Sequence, residues 1–187
     1  MKIGVLGLQG AISEHLEMIR QAGALAVIIK HPEELAAIDG LILPGGESTT
    51  MRKLMKRYGF IQPIKDFHQA GKGIFGTCAG LVLSARSIEG GEESLDLADY
   101  QAMRNGFGRQ KESFEADLSI EGLSGGKFRA VFIRAPYIEK AGAGTEILAK
   151  VDEKIVALRA GNVLVTAFHP ELTGDARLME FFIKNCL

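Results

Sequence analysis

The sequence lacks the features that mark nucleic-acid-binding and membrane proteins. Its 22 lysines and arginines nearly balance 23 aspartates and glutamates, which leaves a formal net charge of −1 over 187 residues. Such a balance gives no electrostatic reason for a nucleic acid or an anionic membrane as partner. No stretch approaches the roughly 18 consecutive apolar residues of a membrane span, and the apolar run in MKIGVLGLQG is too short for a signal peptide. We therefore expect a cytoplasmic protein that contacts neither nucleic acid nor membrane.

Cysteine and histidine are scarce, and their spacing argues against a metal site. The chain has two cysteines, Cys78 and Cys186, and four histidines, at positions 15, 31, 68 and 169. The cysteines lie far apart in sequence, and the histidines show none of the short spacings of a zinc site. A disulfide between two cysteines is not expected in a reducing compartment. The sequence predicts no metal.

Glycine-rich stretches are present, but none has the spacing of a nucleotide-binding loop. GVLGLQG follows the first apolar run and spaces its glycines three apart, and the second run ends in Lys30 and His31 instead of an acid. Both features depart from the dinucleotide-binding pattern. AGKG and GGKF each contain a Gly-Lys pair without the Ser or Thr and the upstream Gly of a P-loop. The sequence therefore predicts no cofactor.

Short apolar runs alternate with amphipathic segments in the first half of the chain. Four runs rich in Val, Ile, Leu and Phe are typical of parallel strands covered on both faces: residues 2–8, 25–30, 41–44 and 73–76. Helices are expected at residues 13–21, which Gly23 ends, and in ESTTMRKLMKRYGF, with Ser48 or Thr49 as N-cap. This order predicts an α/β fold in three layers, with an open, mostly parallel sheet and helices on both faces.

From about residue 97 the pattern changes to strand-like runs without long helices. FEADLSI, FRAVFIR, TEILAKV, KIVALRA and NVLVTAF are typical of antiparallel hairpins, with turns at DEK and AGN. A final helix is expected over residues 176–186. No repeat, low-complexity tract or linker separates the two halves, and the length suits one domain of roughly 100 to 200 residues. We expect a single domain over residues 1–187, with the second half as an antiparallel extension of the sheet.

The segment GIFGTCAGLVL, residues 73–83, places Cys78 between small residues just after an apolar run. An unpaired cysteine is most often a small buried hydrophobe. Here, however, Gly76 and Gly80 flank Cys78 by two positions on each side, which is the form of a strand-to-helix nucleophile elbow. A helix that begins near Ala79 would direct its N-terminal N–H groups at the sulfur and favour the thiolate. Cys78 is therefore a candidate nucleophile at the carboxyl end of a strand.

The segment TAFHPEL supplies the base that a cysteine nucleophile needs. His169 and Glu171 follow the last apolar strand and are two residues apart, so both side chains project from the same side of an extended chain. His169 can take the thiol proton, while Glu171 fixes its tautomer and stabilises the imidazolium. Without the cysteine elbow, a structural histidine beside a solvated glutamate would be the simpler interpretation. The two motifs together predict a triad of Cys78, His169 and Glu171.

The segment LILPGGEST follows another strand and carries the adjacent glycines Gly45 and Gly46. The amides of glycines can approach a ligand closely, or flip, without a side-chain penalty. The N–H of Gly46 with that of Ala79 would form an oxyanion hole, in which one donor is typically worth about 10²- to 10³-fold in rate. The segment can equally be a tight turn before a helix, and the two interpretations are compatible.

Three motifs, PGGEST, GTCAG and FHPEL, occur in an order and at separations that resemble the class I (triad) glutamine amidotransferases. GVLGLQGAISEH, RNGFGRQ, SFEADL and VFIRAP narrow the resemblance to the glutaminase subunits of two-protein pyridoxal 5′-phosphate synthases, over essentially the whole chain. The resemblance implies a class I glutamine amidotransferase-like, flavodoxin-like fold and hydrolysis of L-glutamine to glutamate and ammonia. It also implies a hetero-oligomer with a synthase (lyase) subunit, which uses the ammonia to build pyridoxal 5′-phosphate (vitamin B6).

The resemblance also implies residue roles. The family's triad is matched by Cys78, His169 and Glu171, and its glutamine-binding positions are matched by Gly46, Glu47, Ser48, Arg104, Ile133 and Arg134. A carboxylate such as Glu47 suits the ammonium of glutamine and a guanidinium suits its carboxylate; which arginine serves that carboxylate stays open. One position departs from the family's pattern, because Met103 stands where an acid is expected before the arginine.

Two alternative functions compete with a glutaminase. A related cysteine hydrolase of the same sheet type would be expected to have His directly after its nucleophile, and this chain has Ala79 there. A non-catalytic regulatory subunit would usually lack a triad member, and all three are present. Both comparisons favour the glutaminase.

Overall fold

The first half of the chain alternates strands and helices, as its apolar periodicity predicts. The computed structural model of the protein describes residues 1–107 and 113–187. The strands of this half are β1 (Lys2–Leu6), β2 (Leu25–Ile29), β3 (Gly40–Leu43) and β4 (Gly73–Thr77). The helices between them are α1 (Ile12–Gln21), a 3₁₀ helix (Pro32–Ala37), α2 (Ser48–Arg57) and α3 (Ile61–Gln69). The four predicted strands and two predicted helices are confirmed, whereas α3 and the 3₁₀ helix were not predicted.

The strands of the first half are parallel and stand in the order β2-β1-β3-β4. The connection through α1 runs from β1 outward to β2, and the connection through α2 and α3 runs from β3 the opposite way to β4. Because such crossovers are right-handed, the two connections lie on opposite faces of the sheet. The direction of winding reverses between β1 and β3, and open α/β sheets bind ligands beyond the carboxyl ends of the strands at such a point.

The second half extends this sheet with antiparallel strands. In chain order its elements are α4 (Ala79–Ser84), β5 (Ala85–Ile88), β6 (Ala98–Met103), β7 (Ser113–Leu118), β8 (Phe128–Ile133), β9 (Tyr137–Ala141), β10 (Glu146–Val151), β11 (Lys154–Ala160), β12 (Val163–Thr166), a 3₁₀ helix (Pro170–Leu172) and α5 (Arg177–Cys186). The sheet continues from β4 through β12, β11, β9 and β6 to β5, with β10 beside β11, and β7 and β8 form a separate pair. The antiparallel hairpins and the final helix are confirmed.

Strand β12 joins the two halves. It pairs in parallel with β4, with Thr166 opposite Thr77, and antiparallel with β11. All residues of β3, β4 and β12 are buried, which accounts for their uninterrupted apolar sequences. The carboxyl ends of β4 and β12 therefore lie side by side at one edge of the sheet. Residues 78 and 169 follow these two ends.

The N-cap of α2 differs from the expectation. The cap is Glu47, not Ser48 or Thr49, because the Glu47 carboxylate accepts hydrogen bonds from Thr49 N at 2.9 Å and Thr50 N at 2.7 Å. A glutamate at this position reaches the free N–H groups that a serine would otherwise satisfy. The hydrogen bond from the Thr50 hydroxyl, with these two amides, lowers the pKa of Glu47 to about 2. The side chain is therefore anionic at neutral pH.

None of the helices in the described ranges is both long and apolar enough to cross a membrane. The RNGFGRQ motif is described through Phe107, and its last three residues, 108–110, lie outside the described residues.

Candidate active site

The chain turns sharply at Cys78 between β4 and α4. Cys78 has φ 50° and ψ −99°, a region that non-glycine residues rarely adopt. A Cβ atom at Gly76 would come within 2.6 Å of the Gly80 backbone, and one at Gly80 would overlap the Leu43 carbonyl. The small residues on each side of Cys78 are therefore required by backbone packing, as the elbow pattern predicts. Strain of this kind is typical of functional sites, and here it presents the sulfur at the sheet edge.

Backbone hydrogen bonds fix Cys78 and His169 relative to each other. Cys78 N donates to Thr166 O at 2.8 Å, which links the elbow to the end of β12. His169 N donates to Val131 O at 2.8 Å, which ties the segment after β12 to β8. The two residues are 91 positions apart in sequence, and their side chains interact in the folded protein.

His169 and Glu171 form a buried ion pair behind Cys78. The distance from His169 Nδ1 to Glu171 Oε1 is 2.7 Å, and each residue is 8% exposed. Burial acts to lower the pKa of His169, but hydrogen bonds and charge from Cys78 and Glu171 outweigh it and raise the pKa to about 10. Burial acts to raise the pKa of Glu171, yet its pKa is lowered because His15 and His169 stabilise the carboxylate. This electrostatic balance favours an imidazolium beside an ionised acid.

His15 was not among the predicted site residues. It is fully buried in α1, and its Nε2 lies 3.4 Å from Glu171 Oε1 and 3.0 Å from Thr77 Oγ1. The apolar spacing of Leu16, Ile19 and Ala22 predicts the buried face of this helix, but its buried residues are His15, Met18 and Ile19. His15 precedes Met18 by three positions and Ile19 by four, so the three residues share one face of the helix. This spacing is the sequence signal that could have identified His15.

The glycine loop after β3 lies directly against the triad. A Cβ atom at Gly45 would overlap the His169 ring and lie 3.5 Å from Cys78 Cβ, so no larger residue fits there. Gly45 O accepts a hydrogen bond from Ala11 N at 3.1 Å. Glu47 N donates to Gln9 Oε1 at 3.0 Å. The segment after β1 therefore holds the peptide between Gly45 and Gly46 in one orientation, with the Gly46 N–H directed away from Ala11.

A cavity of about 500 Å³ opens in front of Cys78. The predicted site residues that line it are Gly46, Glu47, Ser48, Cys78, Ala79, Arg104, Ile133, Arg134 and His169. Glu171 is the exception among the predicted residues, because it lies behind His169. The fold therefore gathers predicted site residues from positions 46 to 169 around one space of a size suited to a small metabolite.

Arg104, which follows the departure at Met103, is paired with an acid from another segment. Arg104 Nη2 lies 2.7 Å from Glu92 Oε1, and its Nη1 donates to Thr49 Oγ1 at 3.1 Å. The other Glu92 oxygen lies 3.2 Å from Arg52 Nη1 on α2. An acid in the segment before β6 thus pairs with Arg104 in this chain. The sequence reasoning did not identify Glu92, because the pairing spans twelve residues and depends on how that segment folds back.

Ile133 and Arg134 form the opposite wall of the cavity. The Cys78 thiol donates a long hydrogen bond of 4.0 Å to Ile133 O. Arg134 has φ 41°, so the chain turns there in a conformation that glycine favours, at the end of β8. A second strained backbone position therefore borders the same cavity as Cys78.

A larger cavity of about 680 Å³ lies between α2, α3 and the segment before β6. Among the described residues, neither a cysteine nor a histidine lines it. It offers no cysteine beside a histidine, so the smaller cavity is the better candidate for thiol-based hydrolytic chemistry. A cysteine presented on an elbow, next to a buried His-Glu pair, can transfer an acyl group through a thioester. Such an arrangement suits an α/β hydrolase with a cysteine nucleophile.

Comparison with known proteins identifies the family. A model of the SNO glutamine amidotransferase family matches residues 5–187. The pyridoxal 5′-phosphate synthase subunit PdxT of Listeria welshimeri is 62% identical over 184 residues, which cover 98% of each chain. The protein of the same name from Geobacillus kaustophilus is 58% identical over 185 residues, 98% of this chain and 94% of the relative. The chain belongs to the SNO glutamine amidotransferase family.

Solved structures agree with this assignment. A crystal structure of a glutamine amidotransferase superposes with a TM-score of 0.92 at 44% identity and covers 97% of both chains. PurLQS of Thermotoga maritima superposes with a TM-score of 0.73 at 15% identity, over 98% of this chain and 97% of that chain, and so shares the fold. The expected class I glutamine amidotransferase-like fold is confirmed.

Proposed function

We propose that this chain hydrolyses L-glutamine to L-glutamate and ammonia, with Cys78 as nucleophile, His169 as general acid and base, and Glu171 as the residue that orients His169. The observation that carries the proposal is the buried 2.7 Å contact between His169 and Glu171 behind a cysteine held on a strained elbow. This is the arrangement that nucleophilic catalysis by a thiol requires.

The reaction would proceed through two tetrahedral intermediates. The Cys78 thiolate attacks the amide carbon of the glutamine side chain, and the protonated His169 gives its proton to the departing ammonia. A thioester remains on Cys78. His169 then takes a proton from water, the resulting hydroxide attacks the thioester, and the Cys78 thiolate leaves beside the protonated His169. The new carboxyl group loses its proton to solvent, and glutamate departs.

The oxyanion of each intermediate would be stabilised by backbone amides. The Ala79 N–H lies at the start of α4, directly after the nucleophile, and the Gly46 N–H belongs to the glycine loop that contacts His169. These amides are the donors that we assign to the oxyanion hole. Docking of a partner near Gln9 or Ala11 could change the orientation of the Gly46 amide, because these residues hold the adjacent peptide.

The cavity offers groups for both ends of the glutamine backbone. Glu47, anionic because of its lowered pKa, suits the ammonium, and Arg104 and Arg134 suit the carboxylate. Ser48 and the backbone of Gly46 and Ile133 line the remaining surface. We propose these residues as the glutamine-binding set.

The relatives named PdxT are subunits of pyridoxal 5′-phosphate synthase, and this chain shares their length and family. We therefore propose that its ammonia passes to a synthase subunit for pyridoxal 5′-phosphate (vitamin B6) biosynthesis in a hetero-oligomer. The active unit is the single domain of residues 1–187, acting in the cytoplasm on L-glutamine.

Two matched cysteine variants test the proposal. In the complex with its synthase, Cys78→Ala is expected to release no ammonia from glutamine above background, because no thioester can form. Cys186→Ala removes the other buried thiol, which lies in α5, and is expected to retain wild-type activity. A folded Cys78→Ala protein that releases ammonia at the wild-type rate would overturn the assignment.

A further inference from the structure

The buried histidine His15 is not used by the mechanism above. Its Nε2 lies 3.4 Å from the same Glu171 oxygen, Oε1, that accepts the hydrogen bond from His169, and 3.0 Å from Thr77 Oγ1. The Nδ1 atom of His15 and the Oε2 atom of Glu171 have no hydrogen-bond partner in the described part of the chain. A fully buried polar ring with one unsatisfied atom is costly, and a structural role alone would be served by an apolar residue.

The surroundings select one tautomer of His15. If Nδ1 carried the proton, a buried N–H would lack a partner and the Nε2 lone pair would face a carboxylate oxygen. With the proton on Nε2, the ring donates its N–H to Thr77 Oγ1 at 3.0 Å, and the same nitrogen lies 3.4 Å from Glu171 Oε1. Burial lowers the pKa of His15, and this effect is only partly offset by the negative charge of Glu171. The groups facing the ring are Glu171, His169 and Thr77, with Glu14 on its own helix, so a neutral N–H donor is the consistent state.

We propose that His15 is a positioning residue of the triad, which holds Glu171 Oε1 in place for His169 through the electrostatic attraction of its Nε2–H, itself anchored by the hydrogen bond to Thr77. Thr77 is the last residue of β4 and directly precedes Cys78. His15 therefore connects the acid of the triad to the strand that carries the nucleophile. This inference rests on the proposed function of the triad.

Three variants test the role of His15, each measured as kcat and KM for ammonia release in the complex with the synthase. His15→Met has a similar length and lacks the donor, and we expect kcat to fall about 10-fold at unchanged KM, the low end for a hydrogen bond to a charged group. His15→Gln places an amide N–H near the position of Nε2 and is expected to recover most of that loss. Ile19→Val, one turn along the same helix, controls for altered packing and is expected to keep the wild-type kcat.

The outcomes separate this inference from the proposed function. If His15→Met keeps the wild-type kcat while Cys78→Ala is inactive, the role of His15 is wrong and the triad stands. If His15→Gln is as impaired as a folded His15→Met, packing and not the N–H is responsible, and the proposal is again overturned. If His15→Met does not fold, Thr77→Val replaces it, with a several-fold lower kcat expected and an unchanged kcat counting against the proposal. Activity of Cys78→Ala would instead overturn the function itself.

Discussion

Strand β4 packs against a buried cysteine at each of its ends. At the carboxyl end Cys78 forms the elbow, 8% exposed. At the amino end, Gly73 lies against Cys186 of α5, 5% exposed, so closely that a Cβ atom on Gly73 would come within 2.6 Å of the Cys186 carbonyl oxygen. Both thiols are free, and burial does not distinguish them.

The surroundings of the two sulfurs differ in charge and in backbone geometry. Burial raises the pKa of Cys186 to about 11, with Arg159 opposing and Glu146 reinforcing the effect, so this thiol stays protonated at neutral pH. Cys78 instead interacts with His169, an imidazole whose own pKa is raised to about 10. Under the proposed mechanism, a buried cysteine becomes a nucleophile through a cationic partner and a strained turn, and it otherwise remains a small hydrophobe.

Replacing His169 should abolish the difference in reactivity between the Cys78 and Cys186 thiols. We expect His169→Asn to lower kcat by roughly 10⁴-fold, because the thiol loses its proton acceptor and the leaving ammonia loses its proton donor. Glu171→Gln should cost less, about 10²-fold, since the acid acts through His169. Ammonia release measures both effects, and alkylation by iodoacetamide followed by mass spectrometry compares Cys78 with Cys186. A folded Glu171→Gln protein that is more impaired than His169→Asn would mean that these roles are reversed.

Docking of the synthase should increase the difference in reactivity between Cys78 and Cys186. The peptide between Gly45 and Gly46 is held by Ala11 in one orientation, and glycines on both sides allow it to turn at little steric cost. We expect kcat of the chain alone to rise about 10-fold or more with saturating synthase, which is the size of one recovered oxyanion donor or somewhat less. Steady-state ammonia release with and without the synthase is the measurement. Equal kcat values would show that the oxyanion hole is already formed, and the glutaminase assignment would be unaffected.

Removing the ion pair of Arg104 should leave the difference in reactivity between the Cys78 and Cys186 thiols unchanged. Glu92→Gln removes the charge that pairs with Arg104, and Glu92 does not contact Cys78. We therefore expect KM for glutamine to rise about 3- to 10-fold, which corresponds to losing part of one charged hydrogen bond. The kcat and the selective alkylation of Cys78 should not change. Glu93→Gln, at the next position, is the matched control. A fall in kcat with unchanged KM would mean that Glu92 acts on the chemistry and not on substrate binding.

The sequence predicted the features that depend on short-range constraints. The elbow requires small residues at 76 and 80, and these are visible as a pattern around Cys78. His169 and Glu171 are two residues apart and do contact each other, although Glu171 lies in a 3₁₀ helix (Pro170–Leu172) and not on the extended chain that was expected. The apolar runs of β1 to β4 are long enough to identify buried strands. Each of these signals lies within a few consecutive residues.

The features that were missed depend on contacts between distant segments. Glu92 reaches Arg104 from a segment whose path no local pattern specifies, and His15 reaches Glu171 across 156 positions (171 minus 15). The N-cap of α2 was misassigned because a glutamate side chain can reach the same amides as a shorter residue. Strand β6 was missed because its sequence, ADYQAM, mixes small and polar residues, and its burial comes from the neighbouring strands.

Because β12 is made late, glutaminase activity can arise only near the end of synthesis of the chain. The strand is central in the sheet but is made late, after more than 160 residues have been synthesised. Until it inserts beside β4, His169 and Glu171 cannot reach Cys78, and β4 exposes an apolar edge. A nascent chain therefore carries its thiol for most of translation without the groups that activate it. Because this pairing joins segments about 90 residues apart, we expect it to be a late and slow step of folding, so that ammonia release begins only when the whole sheet is complete.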